Sequence, residues 1–180
     1  FRYFGHDPSL VSVLDGGLKK WKQEGKPTVK HKTNINQSVY KAVANKDMVK
    51  SKSDIDENIK LKNFKVVDAR SYERFKGMVP ELRINVKSGS IKGSYCLPFT
   101  KIINKNNNTF KNNNELNQIF KEVIDTEDNN IVFSCGSGVT ASVLALAYSL
   151  INNKYTPTIY DGSWSEYGLI KWKDQLKFYQ

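Results

Sequence analysis

The chain has 180 residues, 39% of them hydrophobic, with 28 Lys and Arg against 18 Asp and Glu. That suffices for one packed domain plus a short extra segment, and because the lysines are spread without a block of five, the charge reads as a solvated surface and not as a nucleic-acid footprint. Two cysteines make neither a disulfide framework nor a zinc motif and fit a reducing compartment, while no apolar run has transmembrane or signal-peptide form, so no membrane association is expected.

The chain begins at Phe1 instead of Met, so its natural N-terminus is expected upstream. Residues 11–14 read as a short strand, Asp15-Gly16-Gly17 as a turn, and 18–24 as a helix closed by Gly25 and Pro27. Residues 26–38, rich in Lys, Thr, Asn and Gln, read as a linker. A strand is expected at 39–43 and a helix near 54–60, opened by a capping-box pattern from Ser53. A strand over 64–67 ends at Asp68, a short helix covers 71–75, and 76–93 form a long loop. Residues 94–97 read as a strand stopped by Pro98. The Asn-rich stretch 104–114 is expected to be a mobile surface insertion, followed by an amphipathic helix over 116–124.

Ile131-Val132-Phe133-Ser134 is a strand that runs into Cys135-Gly136-Ser137-Gly138, and helix formers follow from Val139. Residues 158–160 read as a last strand, Asp161-Gly162-Ser163 as a turn, and Trp164 onward as a helix closed by Gly168. Strands alternating with helices imply the α/β class, a parallel sheet with helices on both faces and a binding site at the carboxyl ends of its strands.

The spacing from Asp15 to Trp21 equals that from Asp161 to Tyr167, a weak internal repeat. It predicts two tandem copies of one domain: residues 1–25 end the first, 26–38 link them, and 39–180 form the second.

A thiol at a strand–loop–helix turn has a chemical use. Loop amides and the positive end of the helix favour its thiolate, and glycines let the backbone curl around an anion. Cys135 is therefore read as a nucleophile, and Cys96, within a strand, as a structural thiol. Three of the four arginines, Arg70, Arg74 and Arg83, fall close together. Arg70 is expected to brace the strand end at Asp68. Arg74 and Arg83 could form a forked clamp on a carboxylate, or salt bridges with Glu73, Asp68 or Glu81. A phosphatase loop would need Arg six positions after the cysteine, and Ala141 stands there. His6 and His31 lie in the tail and the linker, which disfavours a Cys/His pair.

The loop Cys135-Gly136-Ser137-Gly138-Val139-Thr140-Ala141 resembles that of the 3-mercaptopyruvate sulfurtransferases in the tandem-domain rhodanese superfamily. Also similar are Val66-Val67-Asp68-Ala69-Arg70, Arg74-Phe75, Gly77, Arg83 and Leu97-Pro98-Phe99. Asp161-Gly162-Ser163-Trp164-Ser165-Glu166-Tyr167 matches the end of the catalytic domain, and Val13-Leu14-Asp15-Gly16-Gly17-Leu18 with Trp21 the end of the first.

The resemblance implies a rhodanese-like fold and transfer of a sulfane sulfur from 3-mercaptopyruvate through a Cys135 persulfide to a thiol acceptor such as thioredoxin or a small thiol, without a cofactor or metal. Arg74 and Arg83 would hold the donor, Ser137 would assist proton transfer, and amides from Gly136 through Gly138, Val139 and Thr140 would cradle the persulfide. Thiosulfate-type rhodaneses carry cations directly after the cysteine, so neutral Gly136 and Ser137 favour mercaptopyruvate over thiosulfate. A non-catalytic binding or sulfur-relay module is the remaining alternative. The cytoplasm is the expected compartment, mitochondria the alternative. Where the family has a His-Ile-Pro run, this chain has Ser90-Ile91-Lys92, which is expected to alter loop rigidity. The family's first domain also lends a His and an Asp that His6 and His31 do not match, so the chain by itself is expected to be catalytically impaired.

Overall fold

The structure, a computed structural model, describes residues 1–170. Five strands form one parallel sheet: β1 (Val49–Lys50), β2 (Lys65–Asp68), β3 (Tyr95–Cys96), β4 (Ile131–Ser134) and β5 (Ile159–Tyr160), in the order β1-β5-β4-β2-β3. The helices are α1 (Gly17–Gln23), α2 (Lys52–Leu61), α3 (Tyr72–Phe75), α4 (Asn113–Lys121), α5 (Val139–Ile151) and α6 (Ser163–Tyr167).

Both faces of the sheet are covered, as a parallel sheet requires. On one face Val67, Ile131 and Phe133 pack against Leu116 and Phe120 of α4 and Ala141, Leu144, Ala145 and Tyr148 of α5. The spacing 141, 144, 145, 148 is a helical stripe, so one side of α5 is committed to the core. On the other face Val66, Val132 and Tyr160 meet Ile55 of α2 and Trp164 of α6. The chain leaves β2 toward β3 on one side and returns to place β4 on the other. The carboxyl ends of β2 and β4 therefore flank the switch point, where α/β sheets bind ligands.

Several expectations are corrected. Residues 39–43 form no strand: Val39 is 100% and Val43 66% exposed, and the segment hydrogen-bonds the N-terminal turn, Val43 N to Phe4 O and Tyr40 Oη to Phe4 O. The edge of the sheet is taken by β1, paired to β5. Residues 11–14 are not a strand either; with Val13 and Leu14 mostly exposed, no sheet lies beside them. Helix α2 starts earlier than expected, because Ser51, not Ser53, closes the capping box with Asp54.

The Asn-rich stretch is built into the fold. Asn104 donates to Thr109 and to Phe110 O, Ile103 bridges Phe110, and Asn112 caps α4 in a capping box with Glu115. The Phe110 amide also donates to Asp15 Oδ1 at 2.9 Å, which ties this stretch to the first Asp-Gly turn. Residues 22–47 are exposed throughout. The end of the second expected domain, residues 171–180, lies outside the described residues.

Candidate active site

Cys135 follows β4 directly, 2% exposed. The next residues turn sharply into α5 through Gly138, whose φ of +82° is left-handed and whose added Cβ would stand 2.7 Å from Asp161 Oδ1. Glycine is required there on both counts. The amide of Ser137 donates to Cys135 Sγ at 3.4 Å. Burial pushes the thiol up, but the Thr140 hydroxyl and the amides of Ser137, Ala141 and Thr140 outweigh it and hold Cys135 below the ordinary thiol range. Thr140 and Ala141 lie in the first turn of α5, so its free amides serve as anion donors.

Two arginines close the other side. A Cβ on Gly136 would stand 3.3 Å from Arg74 Nη2 and 3.4 Å from Arg83 Nη1, so both guanidinium groups converge on the residue after the thiol. Arg74 comes from α3, held by Ser71 at its N-terminus, and Arg83 from the long loop. Arg83 is exposed and has no hydrogen-bond or ion-pair partner among the described residues.

Arg74 also meets Glu81 at 2.5 Å, and Glu81 in turn meets Arg70 at 2.6 Å. Arg70 braces the strand end as expected: it bonds Asp68 Oδ2 at 2.7 Å and Gly89 O at 2.8 Å, and stacks over Trp164. Burial raises the Glu81 carboxyl, but Arg74 and Arg70 together bring it below the usual carboxylate range.

A family model described as the rhodanese-like domain matches residues 51–169. The chain belongs to the rhodanese-like family. It is 37% identical over 167 residues to mouse 3-mercaptopyruvate sulfurtransferase, and 37% identical over 168 residues to mouse thiosulfate sulfurtransferase. Each match covers 93% of this chain and 55% of the relative, so the chain spans about half the length of the curated relatives it matches. Among solved structures, SseA from Escherichia coli, described as showing the rhodanese fold of 3-mercaptopyruvate sulfotransferases, matches with a TM-score of 0.74 and 30% identity, over 92% of this chain and 60% of that one.

Within this rhodanese domain the structure gathers Cys135, Gly136, Ser137, Thr140, Arg74 and Arg83 in one place. Val139 opens α5 and is 71% exposed, and the Gly138 amide points to Ser163 Oγ. Ala141, which the sequence reading placed at the end of the loop and gave no role at the sulfur, supplies an amide to it. Cys96, read as a structural thiol, is half-buried: its Sγ faces Arg70 O, and burial pushes it up to about 11. The sequence reading missed the backing of the loop. Trp164 N donates to Cys135 O and Ser165 N to Gly136 O, both at 2.9 Å, while Ser163 Oγ accepts from Cys135 N. The motif 161–167 was visible as a repeat and a family signature, but spacing carries no trace of which loop it grips. Among the described residues no group of three or more His, Cys, Asp or Glu could hold a metal ion.

Proposed function

We propose that this chain is the catalytic domain of a sulfurtransferase that takes sulfane sulfur from 3-mercaptopyruvate. One observation carries the reading: the loop amides and Thr140 hold the Cys135 thiol below its ordinary range, and two guanidinium groups converge on the next residue, Gly136. The Cys135 thiolate attacks the sulfur of the donor. The S–S bond forms as the C–S bond breaks, and the electron pair leaves on the pyruvate carbon as an enolate, which takes the proton once carried by the donor thiol. The products are pyruvate and an anionic persulfide on Cys135.

Arg74 and Arg83 hold the donor's carboxylate and carbonyl and counter the enolate charge as it develops. Ser137 assists the proton transfer, and the loop amides cradle the persulfide. A thiolate acceptor, a small thiol or a thioredoxin-like protein, then attacks the outer sulfur and restores the Cys135 thiolate. No part of this sequence needs a metal or an organic cofactor.

Mercaptopyruvate suits the site better than thiosulfate because the positive charge comes from the arginines, while positions 136 and 137 are neutral. A cation at 136 would press on both guanidinium groups. Residues 1–25 are, on this reading, the end of a first rhodanese domain and 26–38 the linker to the catalytic one. That first domain supplies the remaining proton-transfer partners and is expected to raise turnover when present. The cytoplasm, where a free thiol persists, is the compartment proposed.

Incubation with 3-mercaptopyruvate, followed by intact mass and peptide mapping, tests the proposal. Gain of one sulfur atom on Cys135 with release of pyruvate is expected. With the full-length protein, gain from thiosulfate alone would transfer the reading to a thiosulfate enzyme, and no gain from either would leave a binding or sulfur-relay module.

A further inference from the structure

Among the described residues, Ser163 is the one buried non-glycine residue with a positive φ. It lies in the left-handed region, φ +50°, with 0% exposure. Glycine would adopt this conformation without strain, and asparagine with little. The corresponding position of the first Asp-Gly turn is in fact glycine: Gly17, spaced identically, has φ +60°. A serine that keeps a strained backbone at a fully buried turn needs a compensating role for its hydroxyl.

The hydrogen bonds supply one. Ser163 Oγ accepts from Cys135 N at 3.0 Å and from Gly138 N at 3.1 Å, and donates to Tyr160 O at 2.8 Å. One donor and two acceptor sites exhaust a hydroxyl's capacity. Ser134 Oγ stands at the outer limit, 3.5 Å away. The two amides that Ser163 receives come from opposite ends of the Cys135–Gly138 loop. Closing them on one oxygen fixes the chord of the loop and turns these N–H groups away from the sulfur. The amides of Ser137, Thr140 and Ala141 are left to face it. Tyr160 O anchors the clasp to the end of β5, so the loop is referenced to the sheet.

We propose that the Ser163 hydroxyl is a clasp that sets the geometry of the sulfur-binding loop, which makes Ser163 a positioning residue for the chemistry at Cys135. The proposal rests on Cys135 as the reacting thiol. It acts through the loop and touches neither donor nor acceptor.

The test is the pH profile of Cys135 alkylation by iodoacetamide, read by peptide mass, in the parent protein, Ser163→Ala and Ser163→Gly. Both variants lose the hydroxyl, and the glycine variant also removes the backbone strain, so it keeps the test available should the alanine variant not fold. The midpoint is expected to rise by about one pH unit in both, roughly a tenfold fall in thiolate at a pH below it. Persulfide formation from mercaptopyruvate should slow by a similar factor, with KM nearly unchanged. A lower melting temperature with an unmoved midpoint would reduce Ser163 to a structural residue and overturn the proposal. So would a shift in the alanine variant alone, since strain and not the hydroxyl would then be the cause. A shift in both variants of a protein that takes no sulfur from mercaptopyruvate would support the clasp while sinking the proposed reaction.

Discussion

Arg74 Nη2 lies 2.5 Å from Glu81 Oε2, and the same nitrogen would stand 3.3 Å from a Cβ on Gly136. Arg83 approaches the same glycine from the loop with no such counter-ion among the described residues. The two arms of the clamp therefore differ in kind. Arg74 is fixed by a buried carboxylate, and Arg83 is free to move onto a ligand.

That difference predicts a split between binding and stability. Arg74→Ala and Arg83→Ala should each raise KM for mercaptopyruvate by the equivalent of about 1–3 kcal/mol, through lost charged hydrogen bonds. Only Arg74→Ala should also destabilise the fold, because it leaves Glu81, whose side chain is 2% exposed, with Arg70 as its remaining partner. The loss should be about 1–3 kcal/mol in a urea titration. Equal stabilities for the two variants would show that Glu81 does not depend on Arg74.

Glu81 itself sets the charge of the site. Asp68 and Glu81 balance Arg70 and Arg74, which leaves Arg83 as the uncompensated charge of this group. That one cation, set beside a Cys135 thiolate held by the loop amides, would suit the single carboxylate of the proposed donor. Glu81→Gln adds a second and should shift the ratio of kcat/KM for thiosulfate over mercaptopyruvate upward, by about tenfold.

The same carboxyl predicts acid sensitivity. Its folded pKa lies below its unfolded one, so its stabilisation is complete above the unfolded value, about 4.3, and is lost as pH falls through the folded value. Glu81→Gln should be less stable than the parent at neutral pH and should lose less stability on acidification. Parallel stability curves from pH 6 to pH 2 would contradict the pairing.

Much of the fold was legible because hydrophobic runs mark buried parallel strands: 64–67 and 131–134 were each readable from the chain alone. The failures at 11–14 and 39–43 share one cause. Val13 and Val39 fit a strand locally, but pairing is non-local, and the edge beside β5 went to Val49 and Lys50. The Asn-rich stretch misled through composition, since Asn104 and Asn112 use their amides for turn and cap bonds. In the candidate site, residue type and local context singled out Cys135 and the arginines, but left open whether Arg74 pairs with a carboxylate of the chain, which it does at Glu81. Ser163 was not legible, because its partners lie 25 and 28 positions away and only the fold brings them together.

At Gly136 the loop and the clamp come close, and a methyl group there measures how much room the arginines have. At 3.3 and 3.4 Å from guanidinium nitrogens, an added Cβ is tight without being impossible, since both neighbours are ends of flexible side chains. Gly136→Ala should fold with stability within about 1 kcal/mol of the parent and show a several-fold higher KM for mercaptopyruvate. Gly136→Arg should lose mercaptopyruvate turnover altogether, because it places a third cation against two. Retained turnover in the arginine variant would mean that Arg74 and Arg83 do not meet the donor beside Gly136.

The two thiols offer the sharpest contrast in pH response. Cys96 is the more exposed, yet burial beside Asp68 holds it near 11, while the loop holds Cys135 below the ordinary value despite its 2% exposure. Thiolate fraction and access therefore oppose each other in ordering the two reactions. For a small reagent such as iodoacetamide at pH 7, thiolate character should win, because Cys96 would be ionised in about one molecule in ten thousand. Peptide mapping should find Cys135 alkylated well before Cys96, with the order reversing for reagents too bulky to pass Arg74 and Arg83. Preferential labelling of Cys96 by iodoacetamide would show that the loop does not hold a thiolate.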